Sequence, residues 1–184
     1  MPDIDNKIET ITLAGGCFWC TEAIFQRIMG VISVMPGYSG GSVENPSYEQ
    51  VRGGKTGHAE AIQIEFDPKL ISLETLLDVF FKLHDPTTLN RQGNDVGTEY
   101  RSAIFYRDEK QKKIAEDIRG EIEKSGTYKK KIVTEIVPFK NFYKAENYHQ
   151  NYFENNRTAP YCQVVIDPKI RKLFSEFGKI TKES

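Results

Sequence analysis

The sequence predicts an α+β fold with a ferredoxin-like β-α-β-β-α-β core, an antiparallel or mixed sheet, long functional loops and a C-terminal extension. Two segments, Ile8 to Ala14 and Ala59 to Phe66, alternate apolar and polar residues as strands do. Two more, after Cys17 and after Ser72, repeat apolar residues at helical spacing. Their order along the chain is that of the split fold, in which two helices cover one face of a sheet.

Taken in order, Ile8 to Ala14 is the first strand. From Phe18 to about Met29, Cys20, Ile24 and Ile28 mark one buried helix face. Val31 to Met35 is a short second strand, closed by Pro36-Gly37, and Ala59 to Phe66 is the third, ended by Asp67-Pro68. Ser72 caps a helix whose stripe is Leu73, Leu76, Leu77, Phe80 and Phe81. Arg101 to Tyr106 is the fourth strand. Asp108 and Gln111 open a helix burying Ile114, Ala115, Ile118 and Ile122, which stops near Gly126. Ile132 to Val137 is a fifth strand, on the core sheet or its edge. Gln163 to Ile166 reads as one more ordered strand, and Lys169 to Ser184, with Leu173, Phe174 and Phe177, as an amphipathic helix. Tyr38 to His58 and Asp85 to Tyr100 have no period; loops of that length in a compact domain are usually functional.

At 184 residues the chain predicts a single catalytic domain, 1–184, with its core at about 8–137 and a C-terminal loop and helix extension at 138–184. A net charge of -1 with no basic block argues against nucleic acid or an anionic membrane as partner. No segment has the length and apolarity of a membrane span, and Met1 to Glu9 is polar and acidic, so a cytoplasmic monomer is expected. Three cysteines and three histidines, scattered, do not make the roughly four ligands of a zinc site, so no metal is expected. Gly53-Gly54-Lys55-Thr56 resembles the end of a phosphate-binding loop. The first glycine of that pattern would fall on Glu49, which argues against nucleotide binding.

Cys17 follows Gly15-Gly16 at the junction of a strand and a helix. Unpaired N–H groups and the positive end of the helix dipole favour a thiolate there, and the glycines leave room for a reactant. The inert alternative is a small buried hydrophobe. On the third strand Glu60 shares a face with Ile62, Ile64 and Phe66, where burial raises a carboxyl pKa and equips it to donate a proton. The alternative is a strand end in water. Tyrosines Tyr38, Tyr48 and Tyr100 sit in the long loops. A thiol, a carboxylic acid, phenols and the aromatic pair Phe18-Trp19 suit attack on an electrophilic sulfur whose S=O oxygen must be hydrogen-bonded and protonated as it leaves.

Five blocks carry a family resemblance: Gly16-Cys17-Phe18-Trp19; Gly57-His58-Ala59-Glu60; Asp85-Pro86-Thr87; the run Gln92 to Ser102; and Ala145-Glu146-Asn147-Tyr148-His149-Gln150. Together, from about Thr10 to Lys169, the chain resembles the peptide methionine sulfoxide reductases of the A type. The resemblance implies that Cys17 attacks the S-epimer sulfoxide, releases methionine and becomes a sulfenic acid. It implies that Phe18 and Trp19 hold the methyl group, that Tyr48, Glu60 and Tyr100 bind and protonate the oxygen, and that Asp95, His149 and Tyr161 lie at the substrate site, His149 in an orienting role. His58, two residues before Glu60, reads as structural.

The resemblance also implies no bound cofactor and regeneration by thioredoxin or another thiol, in the service of protein repair under oxidative stress. Cys162 aligns with a family cysteine that forms a disulfide with the nucleophile, but the glycine-rich tail and further cysteine of many relatives are absent. Cys17-Phe18-Trp19-Cys20 has the spacing of dithiol oxidoreductases, so Cys20 is the rival resolving thiol, or else part of the buried stripe. Direct reduction by an external thiol is a third route. Two other functions stand as alternatives: a thioredoxin-like dithiol oxidoreductase using Cys17 and Cys20, and a non-catalytic ferredoxin-like binding module.

Overall fold

The computed structural model describes residues 7–182. Its centre is a six-stranded sheet, ordered β7-β6-β1-β3-β2-β8, built from β1 (Glu9–Gly15), β2 (Val31–Ser39), β3 (Ala59–Phe66), β6 (Ser102–Tyr106), β7 (Glu135–Pro138) and β8 (Tyr143–Lys144). The sheet is mixed: β7 runs parallel to β6, and the other pairings are antiparallel. A separate two-stranded ribbon joins β4 (Arg91–Gln92) to β5 (Asp95–Val96).

Side-chain alternation divides the sheet into two faces. Ile11 and Leu13 of β1, Ile62, Ile64 and Phe66 of β3 and Ile104 of β6 join the main apolar core. Helices α1 (Phe18–Phe25), α3 (Leu73–Leu83) and α4 (Glu109–Lys124) contribute Ile24, Leu76, Leu77, Phe80, Ala115 and Ile118 to it. The opposite face carries small residues, Ala14, Ala59, Ala61 and Ala103, beneath Phe105, Val137, Phe139 and Phe142. Both capped helices start at the sequence signal: Ser72 Oγ accepts from Thr75 N at 3.1 Å, and Asp108 Oδ1 from Gln111 N at 2.8 Å.

Several elements depart from the sequence reading. The first helix ends at Phe25, not Met29, because Ile28 N bonds back only to Phe25 O and Met29 N donates to Ile180 O. Ile28 also forms a bridge with Thr181, a partner no local pattern announces. β2 does not close at Pro36-Gly37 but runs to Ser39, which moves Tyr38 out of the loop and into the sheet. Gly37 is needed there because a Cβ would lie 2.3 Å from the Phe142 ring. The loop after β2 contains α2 (Tyr48–Arg52), opened by a capping box in which Gln50 N donates to Ser47 Oγ at 3.2 Å and Ser47 N to Gln50 Oε1 at 2.8 Å.

The expected strand at Ile132 to Val137 starts only at Glu135, since Val133 N is taken by Pro86 O. Gln163 to Ile166 is not a strand: Cys162–Ile166 is a π-helical turn, with Cys162 and Ile166 buried and Val164 exposed, leading into α5 (Asp167–Phe177). A short run with two valines does not distinguish strand from helix by period alone. The terminal helix therefore begins earlier than Lys169 and ends at Phe177. Residues Met1 to Asn6 of the acidic N-terminal reading, and Glu183 and Ser184 of the helix reading, lie outside the described residues. Among the described residues no helix is long and apolar enough to cross a membrane.

Candidate active site

Cys17 is the N-cap of α1, and its carbonyl accepts from Cys20 N at 3.1 Å. Gly16 before it has φ +90, and a Cβ at Gly16 would meet Gln92 Cγ at 2.5 Å. The Gln92 amide is fixed against Asp85, accepting from its N–H and donating to its carbonyl, both at 2.9 Å. The second long loop is thereby latched over the glycine turn. Cys17 keeps 9% of its surface exposed, enough to line a cavity.

Glu60 enters from β3, opposite Tyr38 of β2, on the helix-covered face, and is 2% exposed. Its Oε1 accepts from Phe18 N at 3.1 Å. Burial, reinforced by the charges of Asp95 and Glu99 and opposed by the Phe18 N–H, pushes its pKa up to about 8. At neutral pH this side chain is mostly a carboxylic acid, and the reading of a solvated strand end does not hold.

The helix-terminal thiolate expectation is modified. Burial first, then the Cys20 sulfur and the charge of Glu60, push the Cys17 thiol well above its ordinary value. In the same pair Cys20 is held down to about 7, chiefly because Cys17 donates to it, with burial opposing. At rest Cys17 is a neutral thiol beside a neutral acid. The helix end orients the sulfur but does not ionise it.

Cys17, Trp19, Tyr48, Arg52, Glu60, Asp95, Tyr100 and Tyr161 line a cavity of about 220 Å³. Burial, and then the Glu60 charge, raise the Tyr48 pKa to about 12 and that of Tyr100 further, so both phenols keep their protons. Phe18 does not line this cavity. Its ring is buried against Tyr38 and His149, at centroid distances of 5.7 and 5.0 Å. Trp19 does line it, and its indole stacks on Tyr152 at 3.6 Å and donates from Nε1 to His149 Nδ1 at 3.0 Å. His149 is fully buried and held neutral by burial, which suits an acceptor that fixes the indole.

Tyr161 donates to Asp95 Oδ2 at 3.0 Å and lies 3.6 Å from Cys20 Sγ. Cys162 is wholly buried, with its pKa raised by burial, in a small apolar cluster that also contains Cys17 and Cys20. His58 lies off the site: Nδ1 accepts from Gly41 N at 3.0 Å, and Nε2 meets Val43 O at 2.7 Å. The sequence reading gave no role to Arg52, Glu146, Tyr152 or Lys169. Glu146 accepts from Tyr38 Oη at 2.9 Å and Tyr48 N at 3.0 Å, so one carboxylate fixes both β2 and α2. Its presence in the Ala145 to Gln150 block was the only signal. Lys169 lines a second cavity of about 360 Å³ that meets the first at Cys17, Asp95 and Tyr161.

A thiol at a helix end, facing a protonated carboxyl group and two phenols with an aromatic wall, defines a thiol-dependent reductase of oxidised sulfur. The family model for peptide methionine sulfoxide reductase matches residues 9–181, and the chain belongs to that family. It is 56% identical over 170 residues to the peptide methionine sulfoxide reductase MsrA of Sulfolobus acidocaldarius, covering 92% of this chain and 96% of the relative. It is 51% identical to that of Polynucleobacter asymbioticus, over 98% of this chain and 97% of the relative. Among solved structures, reduced Mxr1 from Saccharomyces cerevisiae superposes with a TM-score of 0.78 at 41% identity, covering 85% of this chain and 90% of Mxr1. Methionine sulfoxide reductase A of Corynebacterium diphtheriae does so with 0.74 at 34% identity, over 83% and 76%. Mxr1 in complex with Trx2 matches with 0.55 at 33% identity, over 79% and 85%. The chain is a thiol-dependent methionine sulfoxide reductase, which sets aside the dithiol oxidoreductase and the non-catalytic module.

Proposed function

We propose that this enzyme reduces the S epimer of methionine sulfoxide, free or in proteins, with Cys17 as nucleophile and Glu60 as acid. The observation that carries this reading is the lining of one cavity by Cys17 and a Glu60 whose pKa is pushed up to about 8. The sulfoxide oxygen is hydrogen-bonded by Tyr48 and Tyr100 and takes the Glu60 proton. Cys17 Sγ bonds to the substrate sulfur, and its own proton restores Glu60. Transfer of the oxygen to Cys17 then releases methionine and leaves a sulfenic acid. Trp19, held by His149 and Tyr152, walls the methyl group, with Phe18 behind it supporting Glu60 through its N–H; Asp95 and Tyr161 border the substrate.

Cys20 is the resolving thiol in this reading. It stands on the first helical turn, three positions from Cys17, where its N–H bonds back to the Cys17 carbonyl, whereas the Cys162 thiol, as buried as Cys20, has its pKa raised by burial and by Cys20. Thioredoxin then reduces the disulfide; the complex of the related Mxr1 with Trx2 supports that partner. We also infer a ferredoxin-like core, supported by the antiparallel order β6-β1-β3-β2 with α1 and α3 as its connecting helices. A single domain over 1–184, with 138–184 as an extension of the 8–137 core, is supported by the Trp19–His149 and Met29–Ile180 bonds. A cytoplasmic monomer completes the reading, three free thiols suiting a reducing compartment.

Peptides carrying each sulfoxide epimer separately test the substrate. Turnover of the S epimer alone is expected; equal turnover of the R epimer would overturn the assignment.

A further inference from the structure

Tyr161 connects the two cysteines' surroundings through one hydroxyl. It donates to Asp95 Oδ2 at 3.0 Å, and the same oxygen lies 3.6 Å from Cys20 Sγ. A phenol has one proton. With that proton committed to Asp95, a protonated Cys20 has only its S–H to offer and donates it to Tyr161 Oη; toward a Cys20 thiolate the phenol is the donor and holds the Cys20 pKa down. The result is a directed chain from Cys20 S–H through Tyr161 O–H to the Asp95 carboxylate. Its far end opens into the cavities that Cys17 also lines. The Trp19 ring meets Tyr161 edge-on, at 5.8 Å and 80°, and holds the phenol in place.

We propose that Tyr161 and Asp95 form a proton relay that carries the Cys20 proton to the hydroxyl leaving Cys17 during disulfide formation. The proposal rests on Cys20 being the resolving thiol. Cys20 Sγ bonds to Cys17 Sγ, and the S–O bond of the sulfenic acid breaks with its electron pair on oxygen. The Cys20 proton moves to Tyr161 Oη, the phenol proton to Asp95, and a proton from Asp95 to the departing hydroxide. Cys17–SOH and Cys20–SH become a disulfide and water. The Cys20 sulfur is oxidised, the sulfenic sulfur is reduced, and Asp95 returns to a carboxylate.

A relay is needed because the resting arrangement changes once the sulfenic acid has formed. In the resting pair Cys17 is the donor that keeps the Cys20 pKa low. Displacement at sulfur proceeds in line, so the leaving hydroxyl points away from the attacking thiol and no longer donates to it. Burial, next in size and opposite in sign, then holds the proton on Cys20. The other groups felt around Cys20 are Lys169 and the Tyr161 hydroxyl, which favour its thiolate, Asp95 and Glu60, which disfavour it, and the Cys162 thiol. Burial and the charges of Cys17 and Cys20 push Tyr161 far up, so a free phenolate is not populated and the two protons move in concert.

The test is a rapid-quench single turnover of a methionine sulfoxide peptide by the full chain without reductant, following methionine and free thiols separately as pH is varied. In Tyr161→Phe, thiol loss at neutral pH is expected to slow roughly a hundredfold more than methionine formation, the lower end of a general-base contribution. The gap should close as pH rises and hydroxide takes the proton. Asp95→Asn, which keeps an acceptor for the phenol but cannot take its proton, should show the same pH-dependent gap. Thiol loss that keeps pace with methionine formation in either variant, or a gap that ignores pH, overturns the relay. Peptide mapping separates the two claims. A Cys17–Cys162 disulfide in the wild type overturns the Cys20 reading and the relay with it, whereas a Cys17–Cys20 disulfide formed without delay in Tyr161→Phe overturns the relay alone.

Discussion

The amide of Phe18, the residue after Cys17, donates to Oε1 of Glu60 at 3.1 Å and ties the start of α1 to a carboxyl group on β3. The bond orients Glu60 toward the cavity while burial keeps it protonated. Thiol and acid are thus placed by the same helix turn, although they are far apart in sequence.

Replacing Glu60 by Gln keeps an acceptor for Phe18 N–H and removes the proton. Methionine formation is expected to slow by about 10²–10⁴-fold, the usual range for general acid–base catalysis. In the wild type the acid form is required, so the rate should fall as pH rises through about 8. A pH–rate profile of the single-turnover burst checks both, and an unchanged burst in Glu60→Gln rejects the acid role.

Glu22 is 2% exposed, with its pKa pushed up to about 7 by burial, and its Oε2 accepts from Asn151 N at 3.1 Å. An acid whose pKa is higher when folded stabilises the fold at low pH and loses that contribution as pH rises through its folded pKa. Glu22→Gln, which retains an acceptor, should therefore gain Tm relative to wild type at pH about 8 and not at pH about 4, on either side of that pKa. Thermal unfolding at both values measures the difference.

Tyr38 and Tyr48 both depend on Glu146. Glu146→Ala leaves the hydroxyl of one and the amide of the other without this acceptor, at about 1–3 kcal/mol per buried group. A lower denaturation midpoint and a raised KM are expected, the second because α2 no longer holds Tyr48 at the cavity. Glu146→Gln, whose single carbonyl can accept from Tyr48 N while its NH₂ can only donate to the Tyr38 hydroxyl, should recover part of both.

His149→Ala removes the acceptor of the Trp19 indole and a buried ring against Phe18. The indole then keeps only its stacking on Tyr152. Tryptophan fluorescence should report increased mobility of the side chain, with KM rising more than kcat falls. A kcat loss comparable to that of Glu60→Gln would make His149 a proton-transfer group, contrary to its orienting role.

Most of the sheet and the two capped helices, α3 and α4, were legible because their signals are local. Ser72 and Asp108 cap where expected, and the alternation of β3 places Glu60 on the buried face. The misread segments have distant partners. Met29 leaves the helix for Ile180, Val133 is held by Pro86, and Gly37 accommodates Phe142, none of which a local pattern records. The candidate site was readable residue by residue through its motifs, but its supports were not. Glu146, Tyr152 and the Gln92–Asp85 latch act through contacts across the chain or by loop geometry. The thiol pKa values also escaped a one-dimensional reading, since they depend on burial and on the neighbouring sulfur.

The central claim is that Cys17 takes the sulfoxide oxygen. A single turnover of a methionine sulfoxide peptide without reductant, comparing the wild type with Cys17→Ser, tests it most directly. The account predicts one equivalent of methionine per wild-type chain and none from Cys17→Ser. Methionine formed by the variant, or none formed by the wild type, would contradict it.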